Sequence, residues 1–232
     1  MKGILGSDWV GLEHFRDFLT SPNFGDIFMN TLLLSVYGLI IGFPVPIILA
    51  LMLNQLRRAA IKKNIQLVLY APNFISVVVA TGMLFIFFSP TGPINFIMSV
   101  FFDKPISFMT DTDYFRSLYI LSGIWQGAGW SSINYVAALA SVDPQLYDTA
   151  KIDGATLLQR IRHIDLPTLK PVMAILFILG AGGIMAIGYE KAYLMQTSMN
   201  LPTSEILPTY VYKKGLQAGD PWDKGNISGR GT

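Results

Sequence analysis

Four stretches of the chain carry no aspartate, glutamate, lysine or arginine: Ile27 to Leu56, Asn64 to Phe102, Ser117 to Val142 and Pro171 to Tyr189. Each exceeds the roughly 18 residues that mark a membrane-spanning helix, whereas isolated apolar runs of about 10 to 14 fit helices buried in soluble domains. The pattern predicts an all-α fold, a polytopic membrane helix bundle of about four spans. The first span reads Phe28 to Leu53, about 39 Å as a helix, enough to cross with some tilt. Pro44 and Pro46 predict a kink in it, which marks either a helix lining a cavity or a simple irregularity of packing. The second span runs from about Ile65 to Phe88, with Pro72 near its start, and stops at the breaker cluster Ser89-Pro90-Thr91-Gly92-Pro93. Ile94 to Phe102 is too short to cross and is placed at the outer interface. The third span covers about Leu118 to Val142, with Gly123, Gly127 and Ser131 on one face as a packing surface. The fourth runs from about Val172 to Tyr189 and contains Gly180, Gly182, Gly183 and Gly188.

Charge between the runs orients them. Arg57, Arg58, Lys62 and Lys63 share one short connection with no acid, which the positive-inside rule assigns to the cytoplasm. Asp103, Asp111 and Asp113, against Lys104 and Arg116, make the next connection an outside type. The loop 143–170 returns Lys151, Arg160, Arg162 and Lys170 to the cytoplasmic side. Residues 1–26 then form an extracytoplasmic segment, 27–189 the membrane domain, and 190–232 an extracytoplasmic loop with an irregular tail. Four spans put both termini outside, so the mixed polar segment 1–26 would have to cross without help. A further span ahead of it removes the difficulty, and the chain is expected to be the middle of a longer protein.

Composition agrees with the membrane reading: 52% of residues are hydrophobic, 14% are charged, and the mean hydropathy is +0.46. Residues 1–26 hold no apolar core of a cleavable signal, so insertion must use the spans. The absence of cysteine excludes disulfides and thiolate chemistry, and a net charge of +2 is too small to suggest nucleic acid.

The loop 143–170 is the chain's most specific feature. Asp143 followed by Pro144 predicts a helix start, with the carboxylate as N-cap and proline at the first helical position. A short helix is expected through Lys151, closed near Asp153 by Gly154 in the left-handed conformation. A second, amphipathic helix begins around Ala155 or Thr156 and carries Leu157, Leu158, Ile161 and Ile164, until Pro167 stops it and Pro171 starts the next span. A helix pair with Ala150, Gly154 and Ala155 at its turn makes a rigid knob. A soluble partner that grips it moves both attached spans.

On these residues the chain resembles the membrane permease subunits of binding-protein-dependent ABC importers. Their signature is a Glu-Ala-Ala triplet, a glycine four residues after the last alanine, and Ile-x-Leu-Pro after nine more. Here Asp148, Thr149 and Ala150 stand for the triplet, Gly154 follows at the family spacing, and Ile164-Asp165-Leu166-Pro167 closes it. Asp148 departs from Glu and Thr149 from Ala, keeping a carboxylate and a small side chain. The likeness extends to Gly11-Leu12-Glu13-His14-Phe15, Asn30-Thr31 and Tyr210-Val211-Tyr212. With Gly188-Tyr189-Glu190 and Leu194-Met195-Gln196 it is closest to the carbohydrate-importing branch, for oligosaccharides or polysaccharide fragments, whose members have six spans. The resemblance implies a bacterial inner-membrane location and coupling of ATPase closure to alternating access. Asp148, Thr149, Ala150, Asp153, Gly154, Ala155, Ile164, Leu166 and Pro167 would form the ATPase-coupling loop. The implied partners are an ABC ATPase dimer, a second homologous permease, an extracytoplasmic solute-binding protein, a carbohydrate substrate and the lipid bilayer.

Other chemistries find little support. No phosphate-binding Gly-x-x-x-x-Gly-Lys-Ser/Thr loop occurs, so ATP hydrolysis belongs to another subunit, and no cofactor is expected. His14 and His163, the only histidines, fall on opposite sides of the membrane, so no metal site is expected. No nucleophile elbow or acid pair within a span suggests an enzyme. An ion-coupled secondary transporter is the rival, but the span interiors carry no ionisable residue to couple ions. For the substrate path, Trp125, Trp130 and Tyr135 either stack on sugar rings or pack against lipid and neighbours. Gln126 and Asn134 are candidates because a buried amide needs a hydrogen-bond partner that a sugar hydroxyl can supply.

Overall fold

The computed structural model describes residues 11, 12, 16, 18–56, 58–100 and 104–214; His14, Arg57 and the tail from 215 onward lie outside them. Twelve helices follow in chain order among the described residues: α1 Phe24–Gly42, α2 Pro44–Asn54, α3 Ala59–Tyr70, α4 Val77–Phe87, α5 Pro93–Met98, α6 Thr112–Ala140, α7 Pro144–Ile152, α8 Leu157–Arg160, α9 Leu166–Gly182, α10 Tyr189–Met195, α11 Leu201–Ser204 and α12 Leu207–Tyr212. No strand occurs among the described residues.

The long helix α6 is the axis of the bundle, packing against α1, α2, α3, α9, α10 and α11. It begins at Thr112, six residues before the expected start of its span, because the Asp111 side chain accepts from the Asp113 amide and caps it. Its 29 residues reach about 44 Å. Among the described residues two helices are long and apolar enough to cross a membrane by themselves, Phe24–Asn54 and Leu157–Gly182; the 29-residue α6 is not one of them. Four spans read from charge-free runs therefore become two strongly apolar helices, one broken span and one central, more polar helix.

The broken span is α3 with α4. The charge-free run suggested a continuous helix, but Ala71–Phe74 forms a 3-10 turn containing Pro72, and Ser76 restarts the helix as N-cap, so α3 and α4 meet at 97°. Proline removes a donor and the restart frees carbonyls. The α6 helix accommodates the break: the Gln126 amide donates to the Ile75 carbonyl at 2.7 Å. Gly129 permits close approach, since a Cβ there would fall 2.6 Å from the Leu69 carbonyl carbon and closer still to its oxygen. The expected small-residue packing face is therefore displaced by a few residues. At Gly127 an added Cβ meets nothing within 4 Å.

Prolines are accommodated differently elsewhere. Phe43, ahead of Pro44 and Pro46, keeps helical dihedrals (φ −64°, ψ −42°), so α1 and α2 run on as one path of 31 residues. Pro167 and Pro171 do not divide the fourth span from the loop. A π turn over Ile161–Asp165 shifts the hydrogen-bond register, Leu166 N–H reaches Ile161 O, and the helix passes both prolines from Leu157 to Gly182. The span then ends at Gly182, short of Tyr189.

Where an extracytoplasmic loop is expected from residue 190, residues 189–212 form three short helices held by buried amides. Asn200 is fully buried and its amide donates to the Met109 and Met195 carbonyls, while Asn30 donates to Pro202 O and accepts from Arg116. Helices of four to seven residues are too short to show a hydropathy signal, and their polar anchors read as loop. Two apolar clusters complete the interior: Leu34, Phe115, Leu118, Met195 and Ile206 on the α10–α12 side, and Ala50, Tyr135, Leu139 and Leu169 on the α7 side.

Replacing Gly129 by alanine should destabilise the protein by about 1–3 kcal/mol through overpacking against Leu69. Thermal unfolding in detergent should show a lowered midpoint for Gly129→Ala and none for Gly127→Ala, whose added methyl meets open space.

Candidate functional site

The loop between α6 and α9 folds as its capping residues dictate. Asp143 Oδ1 accepts from the Gln145 amide at 2.9 Å, Pro144 opens α7, and Gly154 sits at φ +74°. The Ala155 amide then donates to Ala150 O at 2.8 Å, closing a left-handed turn between two of the singled-out alanines. Thr156 and Gln159 form a capping box that starts α8. Among the other singled-out residues, Asp148, Asp153 and Pro167 are exposed and Ile164 and Leu166 half-buried. Asp148 pairs with Lys151 at 2.7 Å on the open surface, a contact of small energetic weight. Thr149 donates to Gln145 O within its own helix.

The apolar residues of this helix pair face outward. Ile152 is 86% and Leu158 73% exposed, with Leu146 and Leu157 also open. Four large aliphatic side chains thus lie uncovered on one helix pair, an exposed apolar patch of the kind that marks interaction sites.

Beneath the knob lies a polar cluster invisible to motif spacing. Asp165, on the π turn, is 0% exposed and accepts from Tyr147 Oη (2.5 Å) and Asn54 Nδ2 (3.3 Å) at one oxygen and from Gln55 Nε2 (3.1 Å) at the other. Asn54 also donates to Tyr147 Oη at 3.1 Å. One buried carboxyl group thus joins α7, the end of α2 and the start of α9. The Tyr147 phenol is pushed up to about 12, first by burial and then by its hydrogen bond to Asp165.

The substrate-path candidates scatter. Tyr135 is buried in the cluster with Ala50, Leu139 and Leu169, and Gln126 spends its amide on the broken span. Trp130 packs edge-on against Tyr70 and Phe74. Asn134 is exposed, so the buried-amide argument does not hold for it. Trp125 lines an apolar groove of about 560 Å³ between α4 and α6 and, with Gln126, a water-sized cavity that Lys191 and Thr81 also border. None of the five borders the cavity of about 310 Å³ between α1, α2, α6 and α10, which Gly38, Gly42, Pro46, Gly123, Gly127 and Lys191 line. The first span borders it through Gly38, Gly42 and Pro46, although the kink expected at Pro44 and Pro46 is absent because Phe43 keeps helical dihedrals. Lys191 was missed because nothing local distinguishes it from a span-end lysine.

Long apolar helices packed around a less apolar central one, an open groove between them and an exposed helix–turn–helix fit a multi-span membrane transport component. The chain belongs to the family of inner membrane components of binding-protein-dependent transport systems, whose model matches residues 42–213. It is 45% identical over 218 residues to the polygalacturonan/rhamnogalacturonan transport system permease protein YteP of Bacillus subtilis (strain 168), covering 94% of this chain and 68% of that one. Among solved structures it is similar to a bacterial ABC transporter involved in the import of the acidic polysaccharide alginate, with a TM-score of 0.87 and 37% identity over 94% of this chain and 77% of that one. A second is the bacterial alginate ABC transporter in complex with an alginate pentasaccharide-bound periplasmic protein (TM-score 0.85, 39% identity, 90% and 73% covered).

Removing the Asp165 carboxyl by Asp165→Ala strands the Tyr147 hydroxyl and two amides, and should cost about 1–3 kcal/mol or more in unfolding experiments. Because the Tyr147 pKa is raised, its contribution is fully present below about 10, the free phenol's value, and is lost as pH rises towards 12. Thermal melts of wild type and Tyr147→Phe should therefore differ at pH 8 and converge only as pH rises from about 10 to about 12.

Proposed function

We propose that this chain is the permease subunit of an ATP-driven importer of oligosaccharides or polysaccharide fragments, with ATP hydrolysis supplied by a separate ATPase dimer docked on α7 and α8. A second homologous permease completes the channel, and an extracytoplasmic solute-binding protein delivers the sugar. The observation that carries the reading is the exposed aliphatic knob on the buried Asp165 anchor. A groove closing around Ile152 and Leu158 displaces α7, and the hydrogen bonds from Tyr147, Asn54 and Gln55 pass that displacement to α2 and α9 together. Asp148 to Ala155 act as the knob and Ile164 to Pro167 as its attachment. The carbohydrate assignment is supported by the relatives, whose names include polygalacturonan, rhamnogalacturonan and alginate.

Gly154 tests the reading, because its left-handed backbone disfavours a β-branched residue by about 1–2 kcal/mol. In the assembled transporter, Gly154→Val should lower oligosaccharide uptake per ATP hydrolysed, or prevent ATPase binding. Normal uptake by a variant that still binds its ATPase contradicts the coupling role. Uptake driven by an ion gradient with no ATPase present replaces it with secondary transport.

A further inference from the structure

Lys191 stands where a stabilising lysine would not. It projects from α10 towards α6, its ammonium donating to the Tyr119 carbonyl at 2.9 Å and lying 4.9 Å from the centre of the Tyr119 ring. The ion pairs among the described residues join Lys151 to Asp148 and Lys213 to Glu205, so no carboxylate there pairs with Lys191. A half-buried ammonium held only by a carbonyl and a ring face has given up water without gaining a counter-ion.

The space beside it is not a packing defect forced by close helices. A Cβ added at Gly38 or Gly127 meets nothing within 4 Å, and one at Gly42 meets only Ile124 at an ordinary 3.7 Å. The resulting cavity, about 310 Å³, falls at the lower end of the about 300–1,000 Å³ typical of small-molecule sites. On its other side Lys191 borders a second, water-sized cavity of about 10 Å³. Thr81 lines that cavity too; it is only 4% exposed and its hydroxyl has no hydrogen-bond partner. A cation without an anion and a buried hydroxyl without a partner thus meet around adjoining empty volumes.

We propose that this is a binding site for the carboxylate of an acidic saccharide, with the Lys191 ammonium as counter-ion and the Thr81 hydroxyl as a second polar contact. One ammonium balances the single charge of a carboxylate better than the about −1.5 to −2 of a phosphate ester. The glycine wall leaves room for the sugar ring, and the Tyr119 ring orients the lysine. The assignment rests on the chain's being a carbohydrate permease and narrows its cargo to uronate-type sugars.

The test compares wild type, Lys191→Met and Lys191→Arg in the full-length permease, assembled with its ATPase, second permease and binding protein in proteoliposomes. Uptake of trigalacturonate and of its fully methyl-esterified form is measured alongside basal ATP hydrolysis. Deleting one partner of a desolvated charge pair should lower trigalacturonate uptake by Lys191→Met at least about ten-fold. Lys191→Arg should retain most of it, any ester uptake should persist, and basal hydrolysis should be unchanged. An equal fall for acid and ester, failure of arginine to rescue, or unaltered trigalacturonate uptake in Lys191→Met overturns the proposal. A wild-type transporter that imports no oligosaccharide of either kind overturns the carbohydrate-import reading itself.

Discussion

Asp165 is the group on which the arrangement of the projecting loop depends. A buried carboxyl group tolerates its surroundings only when its lone pairs are filled, and three donors from two other helices fill them. Because the partners come from α2 and α7 while Asp165 itself opens α9, meeting this one requirement fixes three elements at once. The π turn over Ile161–Asp165 belongs to the same solution. It lets the helix pass Pro167 and Pro171 without interruption. A loop tied in this way is held to the bundle at a third point besides its two chain ends.

The bundle itself obeys a related rule. Membrane helices gain little from burying apolar surface against one another, since lipid is equally apolar, so close approach and buried hydrogen bonds decide which faces meet. The central α6 supplies both. Gly129 admits the backbone of α3, and Gln126 closes the carbonyl left open where the second span breaks. Outward-facing Ile175, Phe177, Ile178 and Leu179 on α9 remain exposed, as suits surface meant for lipid or another subunit.

What could be read in the sequence was local. The Asp143 cap and the left-handed Gly154 are set by neighbours in the chain and form as expected, and the second helix opens at Thr156, within the expected start, whereas Pro167 does not stop it. The long apolar runs announced a helical membrane protein for the same reason. Long-range facts were not legible. Tyr147 and Asp165 meet across 18 residues, Lys191 reaches Tyr119 across 72, and Gln126 meets Ile75 across 51. The broken second span was hidden because a charge-free run looks the same whether its helix is straight or bent, and the ordered segment 189–212 because its anchors are polar. Aromatic residues drew attention on α6 as sugar platforms, whereas Gly123, Gly127 and Ser131, read as a helix-packing face, line the cavity instead.

The central claim is that α7 and α2 move as one body. The chain has no cysteine, so a spin-label pair can be introduced at Gln145 and Met52, both exposed. Pulsed electron–electron distance measurement on the assembled transporter, without nucleotide and with ATP trapped, reads the separation of the two helices directly. The account predicts a change below about 2 Å, the scale of a small shift within a packed interface. A label pair spanning this chain and the second permease should change by more over the same step. A substantial change within the Gln145–Met52 pair contradicts the account, because the Asp165 anchor would then not hold the loop to the bundle during the transport cycle.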